Sequence, residues 1–351
     1  MNHNIHIIQD IPTPHNNYLI NNIRGYFFVK ESYCEIENRS RYNWKEPISE
    51  VDQVGYGIKL NFNFIKTVFL DRSSSVVLVG IMNVNTKVLL LMFFLLQRQF
   101  YYWTDLPDSR LESFHKRTKR RLTNFVLRFS NVRMLCVGNV CVNYYLERGF
   151  CQSTLTNFPI FVEVSKSPKS EKFLEEKLSV FAGSRLIKDK GFDLLISAIA
   201  KIPDKSRRLL AVEIVGDGPE YSSLKEQALA LGVDDVINFL GWLSPAEYNM
   251  RMSQSQVVVQ PSRQDAFGIS VYGMAHMCAC VTTYSSGSGK ERINDGFNGF
   301  IYSALDTVCL ANILVGFIND RDMTRNIAIE GYRTALEWDG SRALKILKEM
   351  C

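Results

Sequence analysis

The residues whose types and spacing could do chemistry concentrate in the second half of the chain. In Gly183-Ser-Arg-Leu-Ile-Lys-Asp-Lys-Gly191, Arg185 directly follows an apolar run that reads as a strand, and Lys190 stands at the start of the next helix. Two cations beside a helix N-terminus make a competent diphosphate site, because backbone N–H groups and the macrodipole add to the side-chain charge. The same segment also fits a solvated basic turn. Val215-Gly216-Asp217-Gly218-Pro219 is a glycine turn that either closes a connection or lets a ligand approach the backbone at Gly216. The Gly241 to Leu243 edge suits a flat base, or an ordinary loop with a partly buried Trp242. Beyond it, Ser244 and Glu247 have the spacing of a capping box.

A fourth segment, Gln260-Pro-Ser-Arg-Gln-Asp265-Ala-Phe-Gly268, is the most specific. A strand ends, a proline forces a turn, an acid follows and a glycine opens a helix. Asp265 there can accept sugar hydroxyls or cap the helix, while the N–H groups of Gly268 and Ile269 face a phosphate.

Such residues are useful only if strands and helices bring them to one edge. Leu178 to Gly183, Leu210 to Val215, Val236 to Leu240 and Gln256 to Gln260 read as strands. Phe192 to Ala200 has helical apolar spacing, and Leu224, Ala228 and Leu231 share a helix face that Gly232 can terminate. The first half alternates in the same way: Ile5 to Ile8, Ser75 to Gly80, Phe100 to Trp103 and Arg133 to Val137 are short apolar strands, and Val88 to Leu96 is a buried helix. Residues 30 to 60 carry no assignable pattern. Both halves therefore read as doubly wound α/β domains, in which ligands sit beyond the carboxyl ends of the strands.

The chain's 351 residues suit two domains, and its 46% apolar and 22% charged composition is that of an ordinary globular protein. A charge of +5 without any RNA- or DNA-binding signature excludes a dedicated nucleic-acid protein. The excess is local: Arg110, Lys116, Arg117, Lys119, Arg120, Arg121, Arg128 and Arg133 face the single acid Glu112. This run is either a solvated helix face or a dock for anionic lipid headgroups or a phosphorylated lipid acceptor. Cysteines at 34, 136, 141, 151, 278, 280, 309 and 351 form no metal-ligand spacing and read as reduced thiols. With no signal pattern and an apolar run only about half a bilayer span long, the expected location is the cytoplasm, at most touching the inner face of the plasma membrane.

Taken in order, the segments resemble the C-terminal domain of the retaining GT-B glycosyltransferases, group 1, which include many bacterial lipopolysaccharide, O-antigen and capsule sugar transferases. The resemblance runs over about residues 178 to 302. It rests on Arg185 through Leu194, Gly216 to Pro219, Phe239 to Gly241, Pro261 to Gly268, and Glu291 with Asp295-Gly-Phe-Asn-Gly299. The likeness implies two Rossmann-like domains facing a central cleft: an acceptor domain over 1–163, a linker over 164–177, a donor domain over 178–335, and a terminal helix over 336–351 returning to the first domain. It implies that Arg185 and Lys190 hold the donor diphosphate, that Asp265 contacts the donor sugar, and that Gly216, Leu243, Phe267, Gly268, Ile269 and Ser270 line the nucleotide sugar. On the acceptor side it points to His15 and Asn16 in a loop after the first strand, and to Asp105 as a catalytic-face acid. The substrate is a nucleotide-diphosphate sugar and the acceptor a saccharide or lipid-linked saccharide, with no metal and no cofactor. The sequence departs from the family where a second glutamate holds the donor ribose: that position is Gly273. Water, or a neighbouring group such as Tyr272, could serve the ribose instead. A GT-B nucleotide-sugar epimerase or a non-catalytic GT-B subunit are the alternatives.

Overall fold

Apolar runs buried on both faces set the architecture. A computed structural model describes residues 4–9, 14–33, 54–55, 62–70, 72–80, 84–106, 114–265 and 267–350. The chain divides into one unit of Met1–Phe161 with Gly340–Cys351, and another of Val162–Asp339.

The first unit holds seven strands: β1 Asn4–Gln9, β2 Phe28–Tyr33, β3 Val54–Gly55, β4 Ser74–Val79, β5 Phe100–Thr104, β6 Val132–Cys136 and β7 Leu155–Asn157. They pair in parallel in the order β3-β2-β1-β4-β5-β6-β7. Two of them fall wholly or partly in the stretch that carried no pattern. β2 is hidden from periodicity by a buried charge: Glu31 is only 4% exposed and is held by Arg24 and the Tyr33 hydroxyl. Its core gathers Leu78, Phe93, Phe100, Met134 and Tyr145.

The second unit has six parallel strands, β8 Leu178–Gly183, β9 Leu210–Val215, β10 Ile237–Gly241, β11 Val257–Gln260, β12 Ala279–Thr283 and β13 Phe300–Tyr302. Their order is β10-β9-β8-β11-β12-β13. Punctuation read from sequence works as expected here. Gly232 takes a left-handed conformation while its N–H bonds to Leu229 O and that of Val233 to Ala228 O, a Schellman stop. Ser244 and Glu247 form the reciprocal capping box. Leu231, expected on the buried helix face, is instead 44% exposed because it follows the last helical turn.

The polar stretch 164–177, read as a linker, is fastened to the second unit. Lys172 is buried and donates to Ser253 O at 3.2 Å, His276 O at 3.1 Å and Cys278 Sγ at 3.4 Å. Phe173 joins the core, and Tyr332 Oη donates to Ser165 O at 2.6 Å. At the other end, helix Gly340–Met350 packs on helix Pro14–Ile23 within the first unit, burying Ala343 and Leu347. Among the described residues no helix is long and apolar enough to cross a membrane.

Burial, with the nearby Lys172 ammonium, pulls the His276 imidazole down to about 4 from its ordinary 6.5. The folded protein therefore keeps His276 neutral while the unfolded chain takes a proton. Its contribution is fully present above pH 6.5 and is lost as pH falls from there toward about 4. Thermal melts between pH 7 and 5 should show stability falling by on the order of 1–3 kcal/mol, with a flatter dependence in His276→Gln. Equal slopes in the two proteins would contradict this.

Candidate donor-binding site

Strand order locates the place where a ligand can sit. From β8 the chain builds outward through β9 and β10, then returns to place β11 on the other side of β8. The loops after β8 and β11 therefore leave the sheet in opposite senses and open a crevice at their carboxyl ends. These loops, 184–191 and 261–269, contain most of the residues singled out above.

The two loops meet in an ion pair. Lys190 Nζ lies 2.6 Å from Asp265 Oδ2, each side chain 15% exposed. The same carboxylate oxygen accepts from Gln260 Nε2 at 3.1 Å and Ser262 Oγ at 3.4 Å. Gln260, itself buried, uses its other amide atom to accept the Ser270 N–H at 3.3 Å. A second link is bidentate: Arg263 donates through Nη1 and Nη2 to the Asp193 carboxylate at 2.7 and 2.6 Å, and also to Lys188 O. Burial raises the Asp193 carboxyl, but the Arg263 guanidinium more than reverses that and holds it below its ordinary value. The backbone N–H groups of Arg263 and Gln264 complete the join, both donating to Asp189 O.

Glycine makes this closeness possible at two points. Gly191 has φ +69°, and a Cβ there would strike the Pro261 carbonyl. Gly268 has φ +100°, and a Cβ would overlap the Gln260 amide. Only glycine fits either position, on grounds of both conformation and space.

Residues 163–334 match the family model described as Glycosyl transferases group 1. Over this segment, just under half of the chain, the second unit is similar to the group 1 glycosyl transferases. Over 167 residues it is 24% identical to the alpha-D-kanosaminyltransferase of Streptomyces kanamyceticus, covering 47% of this chain and 43% of that protein. Over 156 residues it is 26% identical to the lipopolysaccharide core biosynthesis glycosyltransferase LpsE of Rhizobium meliloti, covering 44% of each. The matches thus span less than half the length of these curated relatives. Anabaena Alr3699/HepE in complex with UDP aligns over 100% of this chain and 99% of its own, with TM-score 0.78 and 18% identity. WaaG, a glycosyltransferase involved in lipopolysaccharide biosynthesis, aligns over 97% and 99% with TM-score 0.70 and 13% identity. The fold is GT-B.

Within the second unit, the expected site residues stand in different environments. Lys190 lies in a 3-10 turn, Lys188–Lys190, and the helix begins at Phe192. Arg185 is exposed, and among the described residues no carboxylate pairs with it. Gly216 serves loop packing: its N–H donates to Gly241 O, and a Cβ would collide with the Ser184 carbonyl. Leu243 is half-buried just beyond β10, and Trp242 beside it is exposed. The Phe267 ring is buried beneath the Arg292 guanidinium, 5.2 Å away, so it supports the loop from inside. The Ser270 N–H, expected to face phosphate, is taken by Gln260, and its hydroxyl shares a 3.1 Å bond with Ser288. Among the described residues the N–H groups of Gly268 and Ile269 have no acceptor.

In the first unit, Asp105 follows β5 and accepts the Leu106 N–H at 2.6 Å. His15 and Asn16 begin the helix Pro14–Ile23 and do not form a loop, and their side chains lie outside the described residues. Arg110 also lies outside them. Sequence reasoning missed Gln260, Asp193 and Arg263. Their signal was present: an amide closing a strand ahead of proline, and an acid two residues past Gly191.

Gly273 is not an empty seat for the family's second glutamate. A Cβ there would lie 2.8 Å from Val258 Cβ and from Cys280 Sγ, because helix Ser270–Ala275 has closed onto β11 and β12. Tyr272 is half-buried beside it, and burial raises its hydroxyl well above the ordinary value. Gly273→Ala should cost about 1–3 kcal/mol in denaturant unfolding through overpacking. Gly273→Glu should cost more and gain no ligand affinity. A glutamate variant as stable as the parent would overturn this account of the helix.

Proposed function

We propose that the chain moves a hexose-type sugar from a nucleotide-diphosphate sugar to a saccharide or lipid-linked saccharide acceptor, with retention and without a metal, in the cytoplasm during surface polysaccharide assembly such as O-antigen, capsule or lipopolysaccharide. The observation that carries this reading is the Lys190–Asp265 pair, 2.6 Å apart at the switch point of the donor-type sheet. A cation and a carboxylate held side by side suit the two ends of one substrate: diphosphate oxygens for Lys190 and sugar hydroxyls for Asp265. Arg185, in the same loop and exposed, adds a second cation for the diphosphate.

The chemistry asks mainly for positive potential. As the bond from the sugar's anomeric carbon to the diphosphate oxygen breaks, negative charge grows on the departing phosphate, and preorganised cations lower that barrier. The acceptor hydroxyl attacks on the same face, and its proton passes to the departing phosphate oxygen. Supporting the donor class, HepE is a structural neighbour crystallised with UDP and with UDP-glucose. Supporting the acceptor class, LpsE and WaaG are named for lipopolysaccharide biosynthesis.

A panel of nucleotide sugars, screened by thermal stabilisation and then by turnover with oligosaccharide and lipid-linked acceptors, tests the proposal. One donor should stabilise the protein, and Lys190→Ala and Arg185→Ala should each lower its turnover by about 100-fold or more. Turnover within a few-fold of the parent in both variants would refute the assignment. The missing carboxylate at Gly273 favours one other reading, a non-catalytic subunit, for which no donor in the panel would bind.

A further inference from the structure

Two neighbouring helices of the first unit turn large apolar side chains outward. Helix Val84–Leu96 buries Leu89, Leu90 and Phe93, yet Val88, Leu91 and Leu95 recur on its opposite face at helical spacing and are exposed. Leu95 is 67% exposed. Helix Phe114–Arg128 buries Leu127 and exposes Phe114, Leu122 and Phe125, with Phe129 exposed just beyond its end. The Phe125 and Phe129 rings are 4.7 Å apart. Gln97 Nε2 donates to both Phe94 O and Phe129 O, tying the ends of the helices so that the two outward faces adjoin. An apolar surface of this extent on a protein in water needs an occupant.

Charge says which one. Between Phe114 and Arg128 the helix carries Lys116, Arg117, Lys119, Arg120, Arg121 and Arg128 and has no acid at all. A second copy of the chain would bring the same cations against these. A nucleic acid would answer the charge but leave the leucines in water. An anionic bilayer answers both at once: phosphate headgroups for the guanidinium and ammonium groups, and acyl chains for the apolar ones.

We infer that the face built from helices Val84–Leu96 and Phe114–Arg128 docks on an anionic lipid bilayer, with Leu91, Leu95, Phe125 and Phe129 entering the headgroup boundary between Arg117, Arg121 and Arg128. This surface belongs to the first unit and the Lys190–Asp265 pair to the second, so the inference stands whether or not the donor assignment holds. It places the protein at the surface where a lipid-linked acceptor resides.

The test is co-sedimentation of the full chain with vesicles of phosphatidylcholine alone or mixed with phosphatidylglycerol. Affinity for the anionic vesicles should be at least about tenfold higher and should weaken as salt rises. Arg117→Glu combined with Arg121→Glu should abolish the preference, and Leu95→Ser combined with Phe125→Ser should remove the binding that survives high salt. These positions are exposed, and unchanged melting and circular dichroism confirm that the variants fold. Equal binding of wild type to both vesicle types, or salt-independent binding, overturns the inference without any variant. So does self-association of the wild type that the Leu95→Ser, Phe125→Ser protein loses.

Discussion

The Lys190–Asp265 ion pair lies where the strand order of the second unit reverses, and each partner is the last polar group of a loop that leaves the sheet in an opposite sense. Two loops that diverge from adjacent strands have no reason to stay together unless something holds them. Here a partly buried charge pair, a bidentate arginine and two backbone bonds to Asp189 O all span the same opening. The cation is thus positioned before any ligand arrives, which is the condition under which charge stabilises a departing phosphate without reorganisation at the moment of reaction. Pairing also has a cost: part of the Lys190 charge is taken up by Asp265, and a diphosphate bound as proposed would have to compete for it.

The surrounding residues follow from that constraint. Gly191 and Gly268 are glycines because the loops approach each other's backbone and side chains too closely for a Cβ. Gln260 is buried and reads both ways, donating to Asp265 and accepting from Ser270, so the start of helix Ser270–Ala275 is fixed relative to the carboxylate. With the helix set in that position against β11 and β12, no side chain fits at Gly273. The loss of the family's second glutamate and the packing of the helix are therefore one fact, and a ribose held here would have to be held by something else.

Much of this was legible in the amino-acid order, and the failures have identifiable causes. Four of the six strands of the second unit, β8 to β11, the capping box at Ser244 and Glu247 and the glycine stop at Gly232 were readable because each is a local signal. So was the placing of Lys190 and Asp265 in loops beyond strand ends, where the two side chains meet. What sequence could not show is partnership across distance: that Lys190 already has a carboxylate, that Arg263 spans to Asp193, that Lys172 in a polar stretch is buried among carbonyls. β2 was missed because its buried Glu31 looks like a surface residue until Arg24 is seen beside it. Nor could sequence show that Gly216 packs against the Ser184 carbonyl or that the Phe267 ring lies beneath the Arg292 guanidinium, since such packing looks the same in sequence as ligand contact.

The most direct measurement of the central claim is calorimetric titration of Asp265→Asn with the nucleoside diphosphate and with the intact sugar nucleotide that the parent protein prefers. If Lys190 passes from the carboxylate to the diphosphate, neutralising Asp265 frees the cation. Affinity for the sugar-free diphosphate should then rise by about threefold or more, roughly 0.6 kcal/mol, while the intact donor loses its hydroxyl contact and binds more weakly. Affinities for both ligands that match those of the parent would contradict the account.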